Sequence, residues 1–473
     1  MRENHYREDR EELKELLRQY ENLRNGRTHS FLEEDDFERI IDYFDEKDEL
    51  PDGLEAAEIG LSQFPYSSQL MIKKADLLLA TRKYKEALDI LETAELYDSS
   101  DLNLYILKTD AYLALDQQPK AVELLEAALQ LFEGDERLDL LFELADVYDD
   151  YEEFDKVFDC LKLILEAEPG NEEALYKICF WTDFTGRNEE SIKLHQQIIE
   201  ELPFSELAWF NLAAAYQGLK LYEKAIDAYQ YAVAIDEKFD YAYRNMGDAY
   251  LRLRKYKEAI EVLEKVLELT RPEDVIYEAI GHCYHRMENY GQARFHYKKA
   301  VHLNPDDSKL HYKIAVTYML EEQWQSAIKQ LENAMRIHRT MTEYNLAMGE
   351  CKMHLGQFKD AIQYFGTVVR HKPKNIAGWE ALIRCLLKAG FNEEAIEQCN
   401  AAMRSTEGKA VFLFYHSTAL FAAGKIKEAL LKLEQAMEKV PKQLKKFIEL
   451  NPSILQNNQV VDILARYKKG KKI

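Results

Sequence analysis

Residues 205–305, broken every 34 residues, read SELAWFNLAAAYQGLKLYEKAIDAYQYAVAIDEK, FDYAYRNMGDAYLRLRKYKEAIEVLEKVLELTRP and EDVIYEAIGHCYHRMENYGQARFHYKKAVHLNP, and this stretch decides the fold. The three lines align without a gap. Trp209, Tyr243 and Tyr277 fall in one column; Leu212, Met246 and Ile280 in another; Ala213, Gly247 and Gly281 in a third. Tyr216, Tyr250 and Tyr284 follow, then Tyr222, Tyr256 and Tyr290, and then Ala225, Ala259 and Ala293. A period of 34 residues marks a repeated supersecondary unit that cannot bury its apolar face alone and stacks on its neighbours.

An aromatic, a Leu-small pair, a Tyr and then an Ala in a second helix at this period resemble the tetratricopeptide repeat (TPR), a helix-turn-helix unit. The resemblance implies an all-α, right-handed superhelical solenoid in which the first helix of each unit, helix A, lines a concave groove. Carrying the register outward gives twelve units, starting at Glu34, Ser68, Leu102, Leu138, Glu172, Glu206, Asp240, Asp274, Ser308, Thr342, Ile376 and Ala410, with two extra residues near 134–137. The eighth position of each unit is mostly small, and the twentieth is mostly Ala, from Ala87 and Ala121 to Ala395 and Ala429. Small residues in both columns let the two helices of a unit approach closely. Prolines test the register independently, because they are excluded from helix interiors. Pro65, Pro169, Pro203, Pro305, Pro373 and Pro441 all fall where one unit passes into the next, and Pro51 and Pro119 fall in turns between helices A and B.

The domain reading is therefore residues 1–33 as a capping helix and linker, 34–443 as the repeats, and 444–473 as terminal caps and a basic tail. Leu13, Leu16, Leu17, Tyr20 and Leu23 recur at helical spacing, so Glu8 to Leu23 is expected to form an amphipathic helix that covers the first repeat or meets a partner. Ser30 with Glu33 reads as a capping box, with Phe31 the first apolar residue of the next helix. At the other end Phe447 and Leu450 fit the start of a further helix A. Ser453 to Tyr467 reads as a capping helix carrying Ile454, Val460, Ile463 and Leu464, and KKGKKI reads as a frayed tail. Lys74 and Lys108 occupy the normally apolar seventh position, and Asn392 replaces the aromatic of the seventeenth, so the orientation of helix A is least determined in those units.

A chain of 473 residues exceeds the usual size of one core, a limit that a solenoid escapes. No run of apolar residues is long enough to span a membrane. The charged amino terminus lacks the apolar segment of a secretory signal, so a cytoplasmic location is expected. Six cysteines show no C-x-x-C spacing and read as reduced core thiols. The net charge of -23 is asymmetric: residues 1–170 carry 19 Lys and Arg against 45 Asp and Glu, and the remainder is nearly balanced. An acidic front repels nucleic acid and favours a basic partner.

Twelve units leave no room for a catalytic domain, and neither a phosphate loop nor a G-x-S-x-G is present, so no enzyme activity, cofactor or metal is expected. His282 and His285 lie three apart on one helix, but two ligands do not make a metal site. By the TPR resemblance the second, fifth, ninth, twelfth and thirteenth positions of each unit face the groove. In the early units these are acidic, and Asp42, Asp76, Asp110 and Asp146 repeat at the ninth position, as a binding ladder or as a solvated face. Phe142, Tyr176, Phe180, Phe184, Phe210 and Tyr241 follow as an aromatic stretch. Arg244, Arg252, Arg286, Lys309, Arg384 and Lys388 then bring positive charge. The carboxylate clamp of chaperone-binding TPR proteins does not fit, because Asp248 and Ala279 stand at two of its positions. These patterns predict a protein-binding adaptor, resembling long stand-alone bacterial TPR proteins, that takes an extended peptide or protein, one with a basic segment fitting the acidic front. The alternative is a scaffold that self-associates, acidic front to basic rear.

Overall fold

The structure is a computed structural model and describes residues 2–26 and 31–469. Every regular element among them is helical, and the chain divides into two compact units, residues 1–242 and 243–473.

In the first unit, α1 (Arg2–Arg24) precedes the helix pairs α2 (Glu34–Glu46) and α3 (Leu50–Gln63), α4 (Ser68–Ala80) and α5 (Tyr84–Tyr97), and α6 (Leu102–Ala114) and α7 (Gln118–Ala128). There follow α8 (Gly134–Asp150) and α9 (Phe154–Ala167), α10 (Glu172–Thr185) and α11 (Asn188–Glu201), and α12 (Glu206–Gly218) and α13 (Tyr222–Ile235). The division falls within α14 (Asp240–Arg252), whose partner is α15 (Tyr256–Leu269). The second unit continues with α16 (Asp274–Arg286) and α17 (Tyr290–Leu303), α18 (Ser308–Leu320) and α19 (Trp324–Ile337), and α20 (Thr342–His354) and α21 (Phe358–His371). It ends with α22 (Ile376–Ala389) and α23 (Asn392–Ser405), α24 (Val411–Ala422) and α25 (Ile426–Lys439), α26 (Leu444–Leu450) and α27 (Asn458–Lys469). Within each unit a helix packs on its hairpin partner and on the next helix in sequence, as in an α-solenoid.

Local chemistry sets these boundaries. Ser67, Asp101, Asn171, Ser205, Asp307 and Asn375 each accept a hydrogen bond from a first-turn amide of the A helix that follows them. The turn from A to B always places the residue fifteen from the unit start in the left-handed region. Gly186, Gly356, Gly390 and Gly424 hold it without strain, whereas Asp48, Arg82, Asp116, Glu152, Lys220, Arg254, Glu288 and Glu322 hold it as non-glycine residues. Ala225, Ala259, Ala293, Ala327, Ala361, Ala395 and Ala429 are fully buried, and Gly349 lies so close to Phe365 that a Cβ there would meet Cε1 at 2.5 Å.

Several details differ from the sequence reading. Pro51 and Pro119 sit in the first turn of helix B rather than before it, where their missing amide has no helical partner to lose. The two extra residues lengthen α8, which starts at Gly134. Ser30 lies outside the described residues. A capping box is present between Glu33 and Asp36, and Phe31 precedes the helix, with its ring against Phe64. Lys74 and Lys108 do not reorient their helices: each reaches back to the preceding B helix, at 3.3 Å from Glu58 and 2.6 Å from Glu95 respectively. Asn392 replaces the aromatic with an amide that donates to the carbonyl of Ala422.

At the amino end α1 lays Leu16 and Tyr20 into the core of the first pair, and Arg24 bonds Asp52 and Glu55. At the other end Ile454 is buried in a separate 3-10 turn, and the capping helix begins at Asn458 rather than Ser453 because Pro452 starts that turn. The last four residues of the basic tail lie outside the described residues.

Candidate binding surfaces

In the first unit Asp42, Asp76, Asp110 and Asp146 occupy one phase of α2, α4, α6 and α8, and all four are exposed. Their surroundings differ. Lys73 Nζ lies 2.6 Å from Asp42, and Lys177 Nζ lies 3.7 Å from Asp146 and 2.9 Å from Glu173. Asp76 and Asp110 have no such partner among the described residues. Desolvation raises the pKa of both, and neighbouring acids add to it: Asp45 acts on Asp76, with Lys73 offsetting part of the rise, and Asp76 acts on Asp110. Glu143 on α8 is raised in the same way by desolvation and then by Asp110. Both aspartates are thus open to water yet crowded by protein atoms. The column therefore has ion pairs at its two ends and none in the middle among the described residues.

The aromatic candidates separate into two sets. Phe142 and Phe210 are half-buried and packed: Lys177 stands 5.2 Å above the Phe142 ring, and Phe210 lies 5.1 Å from Phe239. Tyr176, Phe180, Phe184 and Tyr241 are each more than half exposed. The sequence reading missed two rings that complete a cluster with Phe180 and Phe184, namely Trp181 and Phe154. Trp181 lies next to a groove position on α10, and Phe154 occupies the aromatic column that opens helix B. The signal was their offset of one turn and one hairpin from Phe184, which only the folded hairpin converts into contact.

In the second unit most of the cationic candidates are engaged internally. Arg244 forms a two-pronged bond with Glu273, both nitrogens at 2.7 Å. Arg252 meets Asp248 at 3.4 Å, Arg286 donates to the Tyr256 hydroxyl, and Lys313 pairs with Glu278. Lys309 is exposed. Arg384, 3.6 Å from Glu350, and Lys388 line a cavity of about 660 Å³ together with Tyr415, Thr418 and Leu450, and Arg384 Nε has no hydrogen-bond partner there. His282 and His285 lie on α16 with pKa values lowered by desolvation and by the cations around them, Lys313 for His282 and Arg286 for His285. Among the described residues no group of His, Cys, Asp and Glu is placed to hold a metal ion, and no helix is long and apolar enough to cross a membrane.

Residues 189–346 match the family model described as the Tetratricopeptide repeat protein 21 C-terminal ARM domain, and residues 318–379 and 352–410 match the Tetratricopeptide repeat model. No curated protein matches the chain. Among solved structures, YrrB, described as a TPR protein with an unusual peptide-binding site, is similar at 19% identity over 40% of this chain and 96% of its own, with a TM-score of 0.35. The C-terminal part of a TPR repeat-containing protein from Cytophaga hutchinsonii is similar at 17% identity over 54% of this chain and 99% of its own, with a TM-score of 0.44. The Cut9-Hcn1 hetero-tetramer of the APC/C is similar at 12% identity over 82% of this chain and 97% of the matched chain, with a TM-score of 0.36.

Proposed function

This chain is a tetratricopeptide-repeat protein, and from that premise we propose that it is a non-enzymatic, cytoplasmic adaptor whose first unit holds an extended basic peptide along its A helices. Such repeat folds serve in general as protein-protein interaction scaffolds. The finer reading rests on one observation, the middle of the aspartate column, which holds no ion pair among the described residues. A solvated face would have no reason to satisfy Asp42 and Asp146 internally while leaving Asp76, Asp110 and Glu143 to repel one another. Helical propensity does not ask for Asp in mid-helix either. Three carboxylates with no cation at ion-pair distance among the described residues make a site that an external cation completes.

Adjacent helices pack about 8–10 Å apart, and an extended chain advances about 3.3 Å per residue. A lysine or arginine at every third residue therefore keeps pace with the column. Peptides of that pattern, measured by fluorescence anisotropy against the full chain, test the reading. Asp76→Asn, Asp110→Asn and Glu143→Gln together are expected to weaken binding on the order of tenfold, from three pairs near water of about 0.2–1 kcal/mol each. They are also expected to flatten its salt dependence. Unchanged affinity would leave the column as a solvated face. The self-assembling alternative is less well supported, because Arg244, Arg252 and Arg384 of the second unit already have acidic partners. It requires mass to grow with concentration and fall with salt in sedimentation.

A further inference from the structure

The ring cluster on α9 and α10 is built like a seat. Phe154 and Trp181 stack with centroids 5.3 Å apart and planes 19° from parallel, and Phe180 and Phe184 stack at 5.9 Å and 25°. The two pairs meet edge to face, Phe154 on Phe184 at 4.7 Å and Trp181 on Phe180 at 4.9 Å. Phe180 and Phe184 nevertheless remain 60% and 58% exposed, so ring faces are left to water. Acids flank the rings along the chain, and the cations among them are already paired, Lys156 with Glu153 at 2.6 Å and Arg187 with Asp159 and Glu190 at 2.7 Å. Helix α8 ends in Asp149 and Asp150, the turn that follows runs through Glu152 and Glu153 directly into Phe154, and Asp183 stands between Trp181 and Phe184. No ion pair to Asp149, Asp150 or Asp183 forms among the described residues, although Lys177 acts on Asp149 from farther off. The nearest cation on α10, Lys177, is already committed to Asp146 and Glu173.

We propose that this cluster seats an arginine side chain of the bound peptide. An apolar side chain docked on the rings would strip water from the acids without supplying a counter-charge, a cost that rises steeply for ionised groups. A guanidinium does the opposite. Its plane stacks on a ring face, where the quadrupole attracts a cation, and its fork of N-H groups reaches carboxylates that an ammonium meets only as a point charge. The same arrangement already occurs internally one turn earlier on α10. There the Lys177 ammonium stands 5.2 Å over the Phe142 ring while pairing with Asp146 and Glu173. The position is also in register: Phe180 falls at the ninth place of its A helix, the place that Asp holds in α2, α4, α6 and α8. A peptide following the aspartates reaches the rings next.

This inference rests on the proposal that the first unit binds a basic peptide, and its test separates the two. Two labelled peptides of equal length and charge, one of Gly-Gly-Arg repeats and one of Gly-Gly-Lys repeats, are titrated with the full chain. A third carries Leu in place of one Arg. The Arg peptide is expected to bind tighter than the Lys peptide on the order of threefold to tenfold. In the Phe180→Ala, Phe184→Ala double variant, whose rings are exposed enough to leave the core intact, that preference vanishes while the Lys peptide binds as before. Equal affinity for the Arg and Lys peptides in the unaltered chain overturns the arginine seat and leaves the aspartate reading standing. Tighter binding of the Leu peptide also overturns it, and assigns the rings to an apolar anchor. Failure of all three peptides to bind removes both proposals.

Discussion

Replacing Asp76 and Asp110 with Asn should make the protein more stable, whereas replacing Asp42 and Asp146 should not. The folded-state pKa values of Asp76 and Asp110 are raised, first by desolvation and then by neighbouring acids. A carboxyl group of this kind binds its proton more tightly in the folded chain than in the unfolded one. Its contribution to stability is therefore complete below the ordinary carboxylate pKa and is lost as pH rises through the raised folded value. At neutral pH both groups are ionised at a net cost, and Asn removes the charge while keeping the shape. Both side chains are exposed, so solvent screening limits the gain to about 0.2–1 kcal/mol each. The pair together should raise the melting temperature by about 2–4 °C. Asp42→Asn and Asp146→Asn instead strip Lys73 and Lys177 of partners 2.6 Å and 3.7 Å away and should be neutral or slightly destabilising. Urea and thermal unfolding followed by circular dichroism would read both signs. In about 1 M salt, where the screening length is about 3 Å, the part of the gain that comes from neighbouring acids should shrink while the desolvation part remains, and the whole gain should close as the pH is lowered toward the carboxylate range. A lower midpoint for the Asp76→Asn, Asp110→Asn variant, or a gain that persists below the carboxylate range, would refute the account.

Two further predictions concern the scaffold. Gly349→Ala places a Cβ against the Phe365 ring and should cost about 1–3 kcal/mol by overpacking, whereas Gly366→Ala, with nothing within 4 Å of the new Cβ, should gain about 0.5–1 kcal/mol by restricting the unfolded chain. Thermal midpoints of the two variants should therefore move in opposite directions. Lys108→Met should be neutral or stabilising, because the buried ammonium is replaced by packing while Glu95, more than a third exposed, can turn to water. Glu95→Gln should destabilise by about 1–3 kcal/mol, because it leaves the Lys108 ammonium buried without its acid. Denaturant midpoints distinguish the two.

The helices were legible because their signals are repeated and local. Six unit-opening Ser, Asp and Asn caps, the proline positions and the buried Ala column carry the register along the chain, and the A helices from Ser68 to Ile376 start in that phase except where α8 absorbs two residues. What was not legible depended on partners that are distant in sequence. Nothing at Lys74 or Lys108 announces Glu58 or Glu95 on the preceding helix, so two lysines at apolar positions read as weak matches when they are ion pairs. The left-handed turn residue was missed because only some units mark it with glycine, and Arg82, Lys220 and Arg254 adopt it without that signature. At the candidate site, the exposure of Phe180 and Phe184 followed from their groove positions, but the inward commitment of Arg244 to Glu273 did not.

The charge along the first unit's A helices is in fact a product of two columns, and this can be tested directly. The ninth residue of one A helix meets the sixth residue of the next: Asp42 meets Lys73, 31 residues on, and Asp146 meets Lys177 in the same way. At that place Asp76 has Leu107, and Asp110 has Glu143 once the two extra residues of α8 are counted. The sixth column thus reads Lys, Leu, Glu, Lys, and it decides where the aspartates are closed or open. Glu143→Lys should close the open site from within, because it puts an ammonium where α4 and α10 already carry one. It should stabilise the fold by about 0.5–1 kcal/mol, since a repulsion becomes an attraction between groups that remain near water. It should also weaken a basic peptide more than Glu143→Gln does, because the new lysine competes for Asp110 as well as removing an acid. Melting temperature and peptide affinity, measured on the same two variants, would then move in opposite directions. If Glu143→Lys binds the peptide as well as the unaltered chain, the aspartate column is not the surface on which the partner lies.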